Sequence, residues 1–171
     1  MINCGNTRRK IAMNNENNVF YWLPCSVVFV STAHEDQRDI MTATAMFVSE
    51  KEPLIMISVA KDHLTEQLIN QSGKFTLVIA GKDQRELAIK VGIIKGKTAD
   101  KFEKFSIPTL SEPSGNALVP EGAAAWMVCN VESHQDIKGY RLFIGRVIDQ
   151  HNTGQPPLLW HKDKFLGLKP V

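Results

Sequence analysis

Apolar positions along this chain come in short runs separated by turn residues, and the spacing within the runs predicts mostly strands. Cys25 to Thr32 is rich in Val and bounded by Pro24 and by His34-Glu35-Asp36, which reads as a strand buried on both faces. Ile40 to Val48 is a second strand, Glu50 to Pro53 a turn, and Leu54 to Ala60 a third strand. The period then changes. Leu64, Leu68 and Ile69 recur at helical spacing and Ser72-Gly73 offers a stop, so His63 to Gln71 is expected as a short helix. Lys74 to Ala80 follows as a fourth strand. Asp83-Gln84-Arg85-Glu86 has the spacing of a capping box, with a helix through Leu87, Ala88 and Val91 that Gly92 ends. Thr98 to Phe105 is expected as another short helix, with Asp100 in its first turn and Phe102 and Phe105 on one side.

Ile107 to Pro120, with three Pro and one Gly, is a long irregular connection of the kind that covers a site or lies on plain surface. Ala123 to Ser133 and Tyr140 to His151 pair as a hairpin through the polar Gln135 to Gly139 segment, and Leu158 to Trp160 and Phe165 to Leu168 close the chain after Pro156-Pro157. The pattern gives about six or more strands with short helices between them and no regular strand-helix alternation, which favours an antiparallel β-barrel with helical insertions over a doubly wound sheet.

Composition narrows the class. The chain has 171 residues, 43% of them hydrophobic and 22% charged, enough for one domain with its own core. Residues 1–18 are expected as a flexible, polar arm, in which Ile11 to Met13 would add a short strand or dock on a partner subunit, and residues 19–171 as the domain. Twenty Lys plus Arg against eighteen Asp plus Glu give +2, too little for a nucleic-acid surface, and Arg8, Arg9 and Lys10 fall in the arm. Cys4, Cys25 and Cys129 show no paired spacing, which argues against a disulfide framework and a zinc site and fits a reducing cytoplasm. Glu16 and the Asn residues around it separate the basic cluster from Val19, so no secretory signal is expected, and no stretch is long enough to span a bilayer.

Candidate chemistry concentrates between Asp39 and Thr65. Thr42 and Thr44 interrupt one apolar run, Ser58 the next, and Thr65 and Lys61 follow, giving hydroxyls, approachable backbone and a positive charge for a flat anionic ligand. Residue types alone favour the plainer reading of two ordinary strands joined by a charged turn. Gly92 to Thr98 fails as a phosphate-binding loop, because three residues separate Gly92 from Gly96 where four are needed and a helix precedes it. The chain has no G-x-G-x-x-G, and His34, His63, His134, His151 and His161 lack metal-ligand spacing. Ser31 and Ser58 lack nucleophile-elbow glycines, and Trp22, Trp126 and Trp160 read as core or subunit-contact residues.

Several segments in register carry a resemblance further. Val27-Val28-Phe29-Val30-Ser31-Thr32, Met41-Thr42-Ala43-Thr44, Ser58 with Thr65 ahead of Ser72-Gly73-Lys74-Phe75, and Gly96-Lys97-x-x-Asp100-Lys101-Phe102 follow the order and spacing of the flavin reductase-like family with the FMN-binding split barrel. Phe143-Ile144-Gly145-Arg146-Val147 and Pro156-Pro157-Leu158-Leu159 look like its closing strands, so the resemblance covers residues 20–168.

The resemblance implies a mainly β, Greek-key split barrel with short helical insertions, homodimeric, holding FMN, or alternatively FAD, near the subunit interface. Thr42, Ala43 and Thr44 would lie along the flavin ring and ribityl chain. Ser58, Val59, Ala60 and Lys61, with Thr65 at a helix start, would receive the phosphate, in keeping with the attraction of a helix N-terminus for anions. Hydride would pass from NADH or NADPH to flavin N5, with Lys97 and the loop from Ile107 to Pro120 as candidates to close over the flavin, and reduced flavin would serve an oxygenase or protein electron partner. Against the family it resembles, the chain departs at Asp39, where many relatives have Asn, at Val78, where Asn is frequent, and at Tyr140, where a His is common. Tyr140 would still stack or hydrogen-bond near the flavin but does not titrate near neutral pH. Two alternatives therefore stand beside the reductase: a flavoredoxin-like electron-transfer protein with tightly held FMN, and a flavin-binding carrier or sensor without turnover.

Overall fold

Each of the first two expected strands is divided in two, and the divisions set the architecture. The computed structural model of the chain describes residues 19–49, 51–110 and 118–168, so the expected N-terminal arm and its Ile11 to Met13 strand lie outside the described residues. After the short helix α1 (Val19–Trp22), the run from Cys25 to Thr32 forms β1 (Cys25–Ser26) and β2 (Val28–His34). Val27 links the two, donating its N–H to the Leu158 carbonyl (2.9 Å) and accepting from the Ala80 N–H (3.0 Å). The run from Ile40 to Val48 forms β3 (Gln37–Ala43) and β4 (Ala45–Phe47), with Thr44 in neither. The other strands are β5 (Leu54–Ala60), β6 (Lys74–Ile79), β7 (Ala125–Ile137), β8 (Tyr140–Asn152), β9 (Leu158–His161) and β10 (Lys164–Gly167).

Seven strands form an antiparallel sheet in the order β3-β2-β6-β7-β8-β5-β4, and β1-β9-β10 form a small one. The edge strands of the large sheet are therefore consecutive in the chain, with one residue between them. Flat, seven strands would hold those edges roughly 29 Å apart at about 4.8 Å per neighbour. The step from Ala43 to Ala45 spans at most about 7 Å. The sheet must curl until its edges meet, giving a barrel closed through the chain at Thr44 and not by a hydrogen-bonded ladder: a split barrel. Periodicity could not show this, because the apolar run passes through Thr44 without a turn residue.

Burial follows the two faces of the curled sheet. Val28, Val30, Ile57, Val59, Leu77 and Phe143 fill the interior together with Ile69 from α2 (Leu64–Ser72). Phe29, Ile40 and Val78 point outward against Ala88 and Val91 of α3 (Arg85–Ile93), Phe102 of α4 (Lys101–Lys104) and Leu158. Of the run Cys25 to Thr32 expected to be buried on both faces, residues 27–32 are buried, while Cys25 and Ser26 in β1 are half-buried.

Local chemistry explains the remaining differences. Gly73, at φ 67, donates its N–H to the Ile69 carbonyl (2.9 Å) and stops α2 where the sequence placed a stop. The expected capping box does not form. Gln84 takes the N-cap position of α3, and its side chain accepts from the Gly81 N–H (2.8 Å) and donates to the Glu121 carbonyl (2.9 Å). Gly92 lies inside α3 and does not end it. The helix expected over Thr98 to Phe105 is a 3-10 turn (Gly96–Thr98) followed by α4, because the Asp100 carboxylate caps the N–H groups of Phe102 (2.8 Å) and Glu103 (3.3 Å) and starts the helix there. Gln135 to Gly139, expected as the connection of the last hairpin, is mostly strand: β7 runs to Ile137, Lys138 sits at φ 53, and β8 begins at Tyr140. Its polarity reflects solvent on both faces, since residues 132–140 are all exposed.

Candidate functional site

Where the barrel is split, its outer face forms one wall of a cavity of about 900 Å3. Strand register decides which side chains reach it. Met46 pairs with Met56 and Ala45 with Ile57, and Ile57 faces the interior, so Met46 and Met56 face out. Two residues along, Thr44 and Ser58 share that outward face. All four line the cavity, as does Thr42 from β3. Facing them is the small sheet, in which Cys25 pairs with Trp160 and Trp160 with Phe165; directly opposed residues share a face, and these three also line the cavity.

The donors at this site are few. The Thr42 hydroxyl donates to the Ala88 carbonyl at 2.5 Å, so α3 holds that side chain and Thr42 offers the cavity its methyl group and backbone. The hydroxyls of Thr44 and Ser58 have no hydrogen-bond partner among the described residues. Burial pushes the Cys25 thiol up from its ordinary pKa, which keeps it neutral as part of the apolar wall. Cys129, inside the barrel, is pushed up to about 12 by the same cause. Small-molecule sites commonly occupy about 300–1,000 Å3 with mainly apolar walls and a few polar groups. Two apolar walls with two free hydroxyls between them therefore fit a flat, ring-shaped ligand such as a flavin.

The sequence-derived candidates divide between two places. Thr42, Ala43, Thr44 and Ser58 come together at the cavity. Val59 is fully buried toward the interior, and Ala60 is half-buried at the end of β5. Lys61 stands beyond β5 with Nζ 2.8 Å from Asp136 Oδ2, and Asp136 also accepts from Arg141 Nε (2.7 Å) and Nη2 (3.1 Å). Hydrogen bonds from Arg141 and Lys61 hold the Asp136 carboxyl well below the usual carboxylate range. Arg141 further reaches the buried Glu66 at 3.0 Å. Tyr140, opposite Ala60 in the ladder, is 55% exposed, and Lys97 is exposed in the 3-10 turn; neither lines the cavity.

Thr65 belongs to a buried polar cluster. Its hydroxyl donates to Asp39 Oδ2 (2.6 Å), and Lys101 Nζ lies 3.0 Å from Asp39 Oδ1 while donating to the Ile40 carbonyl (2.6 Å). Asp39 Oδ1 accepts no directed hydrogen bond, so its contact with Lys101 is ionic. Both side chains are nearly inaccessible, at 3% for Lys101 and 2% for Asp39. A Cβ at Gly96 would run into the Asp39 carboxylate, so only glycine lets the 3-10 turn pass this close. The cluster ties the edge strand β3 to α2, α4 and that turn, three residues from Thr42.

Sequence reasoning missed Met46, Met56, Cys25 and Phe165 as cavity residues and placed Trp160 in the core or at a subunit contact. Knowledge that β3 and β4 are edges, and that β9 pairs with β1, was required to find them.

The family profile for the flavin reductase like domain matches residues 20–169. The chain belongs to that family. Among curated relatives of this flavin reductase-like chain, the Uncharacterized protein YddH of Escherichia coli K12 is 36% identical over 109 residues, 62% of this chain, which spans only 58% of that relative's length. The flavin-dependent monooxygenase reductase subunit HsaB of Mycobacterium tuberculosis H37Rv is 25% identical over 151 residues, 85% of this chain and 78% of that protein. Of the solved structures, the Streptomyces globisporus NADH:FAD oxidoreductase SgcE6 superposes with a TM-score of 0.81 at 20% identity, covering 99% of both chains. The likeness to SgcE6 shows the split-barrel fold expected from the sequence.

Proposed function

We propose that this chain is an NAD(P)H:flavin oxidoreductase that binds FMN, or FAD in its place, in the cavity at the barrel split. The observation that carries the reading is the pairing, in one cavity, of the Thr42 to Thr44 segment with Ser58 beneath an aromatic wall. When bound, the flavin supplies the redox chemistry, taking a hydride from the nicotinamide at its ring. The chain's own residues bind, orient and exclude water. Thr44 and Ser58 hydroxyls would supply hydrogen bonds to the flavin's polar atoms, Met46 and Met56 would give a soft apolar surface, and Cys25 would add an uncharged one.

From Ser58 at the cavity the chain leaves β5 after Ala60 and passes Lys61 in the turn that leads to α2 at Leu64, which would give the phosphate a cation near a helix N-terminus. Asp136 already holds Lys61, so phosphate binding there exchanges one anion for another. Exposed Met46, Phe47 and Val48 beside the cavity suit a homodimer with the flavin near the interface. Similarity to a monooxygenase reductase subunit supports delivery of reduced flavin to an oxygenase. No helix among the described residues is long and apolar enough to cross a membrane.

Tyr140 favours a second reading. It is exposed at the strand end and outside the cavity lining, a placement that suits a flavoredoxin-like electron carrier in which no side chain there contacts a nicotinamide. The test is the visible spectrum of the protein loaded with FMN, followed on adding NADH or NADPH in air. Bleached flavin bands with continued NAD(P)H consumption support the reductase. Bands that stay oxidised with both nucleotides refute it and leave the electron carrier, whose bound FMN a protein donor must reduce.

A further inference from the structure

We propose that a second cavity, on the outer face of the barrel at the far end of β2, binds a small zwitterion of amino-acid size. The proposal is independent of the reductase reading, since this cavity of about 250 Å3 shares no lining residue with the one at the barrel split. Val27 lines the first cavity and Ser31 the second, and four extended residues hold their Cα atoms about 13 Å apart. The volume lies just below the usual range of ligand sites, about 300–1,000 Å3, which limits the occupant to a small molecule. Register builds the floor. Ser31 pairs with Thr76 and Thr76 with Val128, while Val30 and Leu77 beside them face the interior, so these three share the outer face.

Hydrogen-bonding capacity is left open on this floor. Ser31 Oγ donates to the Leu118 carbonyl (2.7 Å), and the Thr32 (3.0 Å) and Ser72 (3.1 Å) hydroxyls both donate to the Lys74 carbonyl. Thr76 differs: it is 3% exposed, and its hydroxyl has no hydrogen-bond partner among the described residues. A buried hydroxyl left unpaired is costly, so this one needs a partner within the cavity. The backbone adds more. The ladder from β2 to β3 runs on to His34 and Gln37, but that to β6 stops at Ser31 and Thr76, which leaves Thr32, Ala33 and His34 with one edge that has no partner strand. All three line the cavity. Charge at the rim is of both signs. Lys74 has no carboxylate within ion-pair distance among the described residues, whereas Glu35 stands 4.0 Å from His34, and α2 presents the negative end of its dipole through Gln71 and Ser72. A simple anion would meet Glu35 and the helix end, and a simple cation would meet Lys74. An ammonium and a carboxylate on one small molecule suit both, with Thr76 and the strand edge to bind them.

The test is a titration followed through backbone amide NMR shifts. L-serine and L-leucine are added to the wild-type chain, to Thr76→Val and to Lys74→Gln, each beside two analogues that keep only one charge: ethanolamine and 3-hydroxypropanoate for serine, 3-methylbutylamine and 4-methylpentanoate for leucine. At least one amino acid should bind the wild type at millimolar concentration or below, moving the amides of Ser31 to His34 and of Thr76, and its one-charge analogues should bind about tenfold more weakly. Thr76→Val should weaken that amino acid about tenfold without lowering the urea midpoint, because the deleted hydroxyl makes no bond within the fold. Lys74→Gln should weaken it about threefold and leave the amine analogue unchanged. Both variants should bind FMN as the wild type does. Amides at Ser31 to His34 and Thr76 that stay still with both amino acids overturn the proposal. So does a one-charge analogue that binds as tightly as its amino acid, which would make this a site for a simple anion or cation, and so does unchanged amino-acid affinity in Thr76→Val.

Discussion

Replacing Lys101 by Met tests the buried cluster that anchors the edge strand of the site. The substitution keeps the length and apolar stem of the side chain and removes its ammonium group. Asp39, 2% accessible at its side chain, is then left with the Thr65 hydroxyl, and the Ile40 carbonyl loses its donor. Removing one partner of a buried ion pair costs about 3–5 kcal/mol, because the remaining charge is still desolvated. With an urea m-value of about 2–3 kcal/mol per M for a domain of this size, the unfolding midpoint should fall by roughly 1.5 M. The double variant Asp39→Asn/Lys101→Met removes both charges and keeps an acceptor for Thr65, so it should recover more than half of that loss. Urea unfolding followed by circular dichroism measures all the variants, and the Asp39→Asn single completes the cycle. A Lys101→Met protein within about 1 kcal/mol of wild type, or a double variant less stable than the single, would refute the reasoning.

Three further perturbations probe neighbouring contacts. Gly96→Ala pushes a methyl group into the Asp39 carboxylate and should cost about 1–3 kcal/mol in the same urea assay, with little added loss in the Lys101→Met background if both act through Asp39. Asp136 has a depressed folded pKa, so the stability it contributes is fully present above the ordinary Asp value of about 4 and is lost as pH falls through the folded value; Asp136→Asn should narrow the gap in urea midpoint between neutral and strongly acidic solution. Thr42→Val deletes the hydroxyl that reaches the Ala88 carbonyl and should lower stability by about 1 kcal/mol while weakening FMN only slightly in a fluorescence titration, because that hydroxyl faces α3.

How much the sequence revealed depends on how local each determinant is. Strand β5 was legible to the residue, Leu54 to Ala60, because a charged turn precedes it and the period changes after it. Gly73 marked the end of α2 through its own backbone preference. The breaks at Val27 and Thr44 were hidden, since both are exchanges of partner strand within a largely apolar run and leave no turn residue behind. Asp39 and Lys101 lie too far apart in sequence for any periodicity to pair them, and only the fold shows that the Gly96 to Lys101 segment wraps onto β3. The Thr42 to Thr44 and Ser58 part of the site was legible from small hydroxyl residues interrupting strands. Its aromatic wall was not, because Trp160 and Phe165 look like core until β9 is known to pair with β1 across a cavity.

The central claim is that flavin sits on the outer face of the barrel where the edge strands meet at Thr44. Its most direct test is an equilibrium titration of FMN against the wild-type chain and against Ser58→Trp, which fills the cavity from an exposed strand position without entering the core. The account predicts tight FMN binding by the wild type and a loss of at least about a hundredfold in a variant that keeps the wild-type circular dichroism spectrum. FMN binding equally well to both proteins would contradict it and place the flavin elsewhere on the chain.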